Sequence, residues 1–355
     1  MILIVAYHST RIECIKSGDS LIASITGIAL GSWGILGVDL FVIISSWYLV
    51  GRNFSCKRLV SIGLQSLIYI LLSAILSCVF IAYETHSFAR AIKDILLHIQ
   101  NAIYEPLWSK HFWFVTAYIL LLLLSPFLNK ILTGLPKEKL SLLLKVTVFI
   151  PLISQFNVYT NTVSDVITFS YIFLMIGYIK LYGIKRLAQF CGIRYVVILI
   201  CVVLSANLIL LIPNIIDPVS MLLVNTVAAT GRHSVIMLLT AVLLFCSVIK
   251  KDQRVNKPVN YIARFTFGVY LFHSMHVLTT DGDLLDLVAS YLTKIGLLKG
   301  TALFPVEFIF FTACFFCVGV FWDMIFQKIL LKPIIRGFFK HKNNIIVKID
   351  DVMNV

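Results

Sequence analysis

Charged side chains are scarce in this chain. Only 13% of its residues are Asp, Glu, Lys or Arg, about half of the roughly 25% usual in soluble domains. With 59% apolar residues and a mean hydropathy of +0.95, that scarcity excludes a soluble globule and marks a polytopic membrane protein. Several chemical signatures are also missing. No Walker loop, GxGxxG, GxSxG or HExxH occurs. The eight cysteines (14, 56, 78, 191, 201, 246, 314, 317) are scattered, mostly inside apolar runs, and form no disulfide framework. Cys314 and Cys317 make a CxxC at lipid depth, where small thiols pack readily, and no metal site is expected. Neither an internal repeat nor a low-complexity linker interrupts the sequence.

Acid is scarcer still: 17 Asp and Glu face 30 Lys and Arg, for a formal charge of +13. In a soluble protein that excess would suggest nucleic acid. Here its distribution matters more. Of the 30 cations, 22 fall on alternate connections between apolar runs: Arg52, Lys57 and Arg58; Lys130 to Lys145; Lys180 to Arg194; Lys250 to Arg264; and Lys328 to Lys348. The positive-inside rule places those connections and both termini in the cytoplasm. The expected partner is therefore the bilayer of the plasma (inner) membrane, crossed many times, and not nucleic acid.

The apolar runs read as spans near 34–50, 66–82, 112–128, 142–158, 166–182, 195–213, 233–249, 266–281 and 305–326. The opening MILIVAY reaches His8 after seven residues, whereas a span needs about 20. It reads as a truncated first helix and not as a signal peptide. Residues 9–33 read as a mixed polar loop. The sum is an all-α bundle of about ten spans over 1–330, followed by a basic cytoplasmic tail over 331–355. Segments such as DLLDLVASYLTKIGLL fit short amphipathic helices across the outer mouth.

Polar residues at membrane depth are costly, and mark function by default. Asp39 lies in the outer half of the run Gly34 to Val50, which leaves through Ser45, Ser46, Trp47 and Tyr48 into Arg52, Lys57 and Arg58. His8 falls towards the outer end of the first helix. The two helices are neighbours in sequence, so a His8–Asp39 pair is expected, the acid fixing the imidazole tautomer of a general base. His273 and His276 sit at middle and outer depth in TFGVYLFHSMHVLTT, as packing glue or as site residues. His111, Trp113 and Tyr118 fit interfacial anchoring, and His111 and Trp113 fit substrate contact as well.

Six segments, in order, resemble the membrane-bound acyltransferase 3 family: MILIVAYHS, GILGVDLFVIISSWYLV, CKRLVS, HFWFVTAYILLLLLSPFLNK, ITFSYIFLMIGYIKLYG and VNYIARFTFGVYLFHSMH. The resemblance implies a ten-helix bundle moving an acyl group, commonly acetyl, from acyl-CoA to a glycan hydroxyl. The family's first-helix histidine falls on His8, and its basic segment on Lys57 and Arg58. Ser61 stands at the second cation of its RxxR pattern, and Ser46 stands where its exit has Gly.

From this follows an expected mechanism. Acyl-CoA, a substrate and not a tightly bound cofactor, would set its phosphates on Arg52, Lys57 and Arg58. The acceptor would be a glycan or lipid-linked glycan. Ser45, Ser46 and Tyr270 are the hydroxyls available to an oxyanion, and His111, Trp113, His273 and His276 complete the candidate substrate contacts. A transporter or flippase of a glycan or small solute, and a non-catalytic relative, remain competing readings. No inverted repeat of the kind many transporters carry is apparent.

Overall fold

Small residues set the first contact. In the computed structural model, helix α1 (Ile2–Ser9) runs antiparallel to α3 (Leu21–Gly31) and α4 (Gly34–Leu49), with one turn, α2 (Glu13–Lys16), at the reversal. A Cβ at Gly31 would strike Thr10, one at Gly34 the Tyr7 ring, and one at Gly37 Ile4. Their missing side chains let the helices close on each other. All three pairs sum to 41, so the register is constant along the contact. Residues 9–33 are thus mostly helical and not the expected loop. Ser20 caps α3 by accepting the Ala23 amide and donates its own proton to the Gly300 carbonyl. The apolar LIASITGIALG then packs on α1.

The structure describes residues 1–18, 20–85, 92–93, 96, 113–149, 162–183, 189, 192–209, 234–250, 256–277 and 282–354. Helix α5 (Cys56–Thr85) begins ten residues ahead of the expected span. Helix α6 (Trp113–Gly134) contains Pro126, which leaves the Leu122 carbonyl without its helical donor. The Ser125 hydroxyl supplies one at 2.7 Å. Helix α7 (Lys137–Thr147) is amphipathic, and the rest of the span expected over 142–158 lies mainly outside the described residues. Helix α8 (Thr162–Tyr182) packs along α6, Gly177 accepting Leu132. The apolar helices α9 (Ile193–Ile209) and α10 (Val235–Ile249) follow, α10 lying against α4.

The span expected over 266–281 is broken. After α11 (Lys257–Ala263), α12 (Thr266–His273) stops at Ser274 and the chain enters a short antiparallel pair, β1 (His276–Val277) with β2 (Gly282–Asp283), His276 opposite Asp283. The pair lies against α5, and irregular backbone at membrane depth is tolerated where protein buries it. Asp283 then opens α13 (Leu284–Lys294) through a capping box with Asp286. Helix α14 (Phe304–Phe326) crosses the bundle, passes through one π turn (Gln327–Leu331), and continues as α15 (Lys332–Asn354) where a tail was expected.

Among the described residues five helical stretches are long and apolar enough to cross a membrane: Leu21–Leu49, Cys56–Val79, Trp113–Gly134, Val163–Tyr182 and Phe304–Lys340. The described chain is helical apart from the two-residue strands. One continuous apolar core joins α1, α3 to α6, α8, α10, α12 and α14. The bundle has two unlike ends. At one, Asn129 of α6 holds the turn after α4, accepting the Gly51 amide at 3.0 Å and donating to the Leu49 and Arg52 carbonyls. Lys180 of α8 donates to the Trp47 and Val50 carbonyls at 2.7 and 2.9 Å, capping α4 with a cation. Arg52, Lys57, Arg58 and helix α15 belong to this cation-rich end. His8, Arg11, the β pair and α13 form the other.

Candidate active site

The glycine register decides which acid meets His8. Because paired residues sum to 41, His8 lies level with Trp33 of the turn before α4, and Asp39 lies level with Ile2. Six residues of helix separate those levels, about 9 Å. The expected His8–Asp39 pair is therefore not formed. Asp39 is buried deeper between the helices, and its Oδ2 has no hydrogen-bond partner among the described residues.

The acid beside His8 comes from the far end of the sequence. Asp283 Oδ2 stands 3.8 Å from His8 Nδ1 and 2.7 Å from Arg11 Nη1. Arg11 also reaches Asp286 at 3.4 Å, so one guanidinium ties the turn after α1 to the start of α13. The His8 nitrogen is buried yet just outside hydrogen-bond range of the carboxylate. The sequence reading missed Arg11 and Asp283. Asp283 and Asp286 are visible as a D-x-x-D start signal, but nothing local says what else the first carboxylate holds.

Against the other face of His8 lies His273, their ring centroids 4.7 Å apart and edge to face. His273 is fully buried. Its Nδ1 is 3.1 Å from the Val269 carbonyl. A carbonyl only accepts, so Nδ1 carries the proton and Nε2 receives the Ser274 hydroxyl at 3.2 Å. Ser274 too was missed: it reads as one more small residue in an apolar run. The break after α12 places this His-Ser pair at a helix end inside the protein. Of His276 only the backbone is described, in β1 across from Asp283. His111 lies outside the described residues.

A file of aromatic rings leads away from the histidines. Tyr270 is 5.5 Å from His273 and 5.2 Å from Phe114 between centroids, and Phe114 stacks on Tyr118 at 5.9 Å. Trp113, at the start of α6, packs on Phe114 and Phe169. Tyr118 is next to Ser45 and lies within the field of the Arg58 guanidinium. Ser46 is fully buried and its hydroxyl has no partner among the described residues. The sequence-derived residues thus fall into two groups. His8, His273 and Tyr270 come together at one end, while Ser45, Ser46 and the cations lie towards the other.

The cations are exposed. Lys57 sits over the Phe339 ring of α15 at 5.4 Å. The neighbouring backbone is already satisfied: Asp350 accepts the Cys56 amide at 2.6 Å, and Asn354 both accepts from and donates to Phe54. From the level of His8 to Arg52 is the full length of α4, about 25 Å.

A second buried polar cluster lies between α5 and α14. Gln65, Tyr69 and Gln327 donate to the fully buried Asp323 at 3.0, 2.9 and 2.7 Å. Gly268 of α12 presses over the same carboxylate, where any Cβ would collide with it. Sequence reading passed over this cluster, whose members on α5 are 254 and 258 residues from Asp323.

Fold and site together define an integral membrane protein with ionisable chemistry enclosed in its helix bundle. The family model described as an acyltransferase domain, Acyl_transf_3, matches residues 1–325. The chain belongs to that acyltransferase 3 family and is a membrane acyltransferase. No curated protein and no solved structure matches it.

Proposed function

We propose that this protein moves an acyl group, acetyl by preference, from acyl-CoA to a hydroxyl of a cell-surface or lipid-linked glycan, with His8 as the general base. The observation that carries the proposal is the grouping of His8, Asp283, Arg11 and His273 at the end of the bundle opposite the cation-rich one. Asp283 orients the His8 ring, so that Nδ1–H faces the carboxylate and Nε2 is left to accept a proton. The acceptor hydroxyl gives that proton to Nε2 as its oxygen attacks the thioester carbonyl. When the tetrahedral intermediate collapses, the carbon–sulfur bond breaks and the CoA thiolate takes the proton back from His8. Nothing is consumed but the two substrates.

The nucleotide end of acyl-CoA fits the opposite face. Arg52, Lys57 and Arg58 supply charge-assisted bonds to phosphate. Because Asp350 and Asn354 already occupy the amides before and at the start of α5, these side chains, and not the helix terminus, hold the anion. The acyl-pantetheine arm then covers the length of α4 along Ser45, Tyr118 and the aromatic file. This reading places the cation-rich face in the cytoplasm of a bacterial-type inner membrane, consistent with the positive-inside rule.

The test uses purified protein in proteoliposomes with labelled acetyl-CoA and a glycan acceptor. Transfer should release free CoA and acylated glycan in equal amounts, and His8→Ala should abolish both. Movement of solute without CoA release would assign the bundle to transport instead.

A further inference from the structure

We infer that helix α15 is an anionic-lipid-binding helix, its free face lying on the leaflet at the cation-rich end. The helix begins after residue 325, where the family match stops, so the acyltransferase assignment accounts for none of it. One of its faces is already used. Phe339, Ile346, Asp350, Met353 and Asn354 pack or bond against Phe54, Cys56, Leu59 and Val60 at the start of α5. A second face is not. Ile334, Phe338, Ile345, Ile349 and Val352 are 40–76% exposed. At 100° per residue these five fall within an arc of about 60°, roughly a third of a turn from the docked face.

The helix also lies where a bilayer would meet that stripe. Asp323 is level with Gln65 and Tyr69, while Asp350 is level with Cys56. Along a straight helix 323 and 350 would be about 40 Å apart, yet 65 and 56 of α5 are only about 14 Å apart. The chain therefore turns after α14, at the π segment and Pro333. Helix α15 crosses the face of the bundle instead of running out into solvent.

Charge identifies the occupant. Helix α15 carries five Lys and Arg against two Asp. Lys342 and Lys348 flank the apolar stripe, one on each side, about 55–65° from its centre. An apolar stripe bordered by lysine positions on both sides suits the headgroup boundary of an anionic leaflet.

Hydrogen exchange on the whole protein tests this in nanodiscs of phosphatidylcholine alone and of phosphatidylcholine with phosphatidylglycerol. Anionic lipid should slow exchange of residues 338–352 about tenfold or more. Both the pair Lys342→Ser/Lys348→Ser and the triple Ile345→Ser/Ile349→Ser/Val352→Ser should cancel that slowing. Amides 54–60, which report docking on α5, should not change. Should the triple variant loosen those amides, the lysine pair decides alone. Equal exchange in both lipids would overturn the inference. So would protection in detergent that grows with protein concentration, which would make the occupant a second copy of this chain.

Discussion

Asp283 and Asp323 are both buried acids held by partners distant in sequence, and they could hardly be used more differently. Three neutral donors from two helices converge on Asp323, on both of its oxygens. Such a carboxylate, bonded on both oxygens, locks α5 to α14. Asp283 instead faces a guanidinium and an imidazole, and the imidazole nitrogen beside it has no hydrogen bond among the described residues. A buried polar atom left unpaired costs stability. On the mechanism proposed above, it stands where a proton has to move. Buried charge in this bundle thus divides into a clamp and a working site.

That division can be broken by substitution. The largest effect belongs to His8→Ala, which should lower acyl transfer about 10²- to 10⁴-fold with unchanged yield of folded protein. Near-normal turnover would remove the base. Asp283→Asn keeps the shape but not the orienting charge, and should lower kcat by about 10²-fold while leaving the detergent melting point nearly in place. Asp323→Ala should do the reverse. It strands the donors of Gln65, Tyr69 and Gln327 at about 1 kcal/mol or more each, so the unfolding midpoint should drop, with transfer per folded molecule largely kept. If Asp323→Ala instead abolished turnover in well-folded protein, the clamp would be part of the site.

Two smaller effects sharpen the comparison along the length of α4. Arg58→Ala should raise KM for acyl-CoA about three- to tenfold and leave KM for the glycan alone; an effect on the glycan only would reassign the basic face. Asp39→Asn should have the least effect, roughly an order of magnitude below that of Asp283→Asn. A larger loss at Asp39 would mean that the helix register does not decide the pairing.

The membrane class and the apolar run from Gly34, which forms the helix Gly34–Leu49, could be read from residue types alone, because apolar length is a local signal. The partner of His8 could not. Asp39 is close in sequence and of the right chemistry, but the contacts of Gly31, Gly34 and Gly37 set a register that places it about 9 Å too deep. Asp283 is 275 residues away and reaches the site only because α12 stops at Ser274 and the chain folds back through the β pair. That stop is hidden in an apolar run, since a His-Ser pair that bonds to itself reads like any two polar residues in a span. Helix α15 escaped for another reason: its cations suggested a solvated tail, and its stripe emerges only when 334, 338, 345, 349 and 352 are placed on a helix.

A double-substitution cycle on His8 and Asp283 tests the central claim most directly, with transfer from labelled acetyl-CoA measured for His8→Ala, Asp283→Asn and both together. If the carboxylate works only through the imidazole, the double variant is no slower than His8→Ala alone. Losses that multiply would show two independent roles and contradict the pairing on which this mechanism stands.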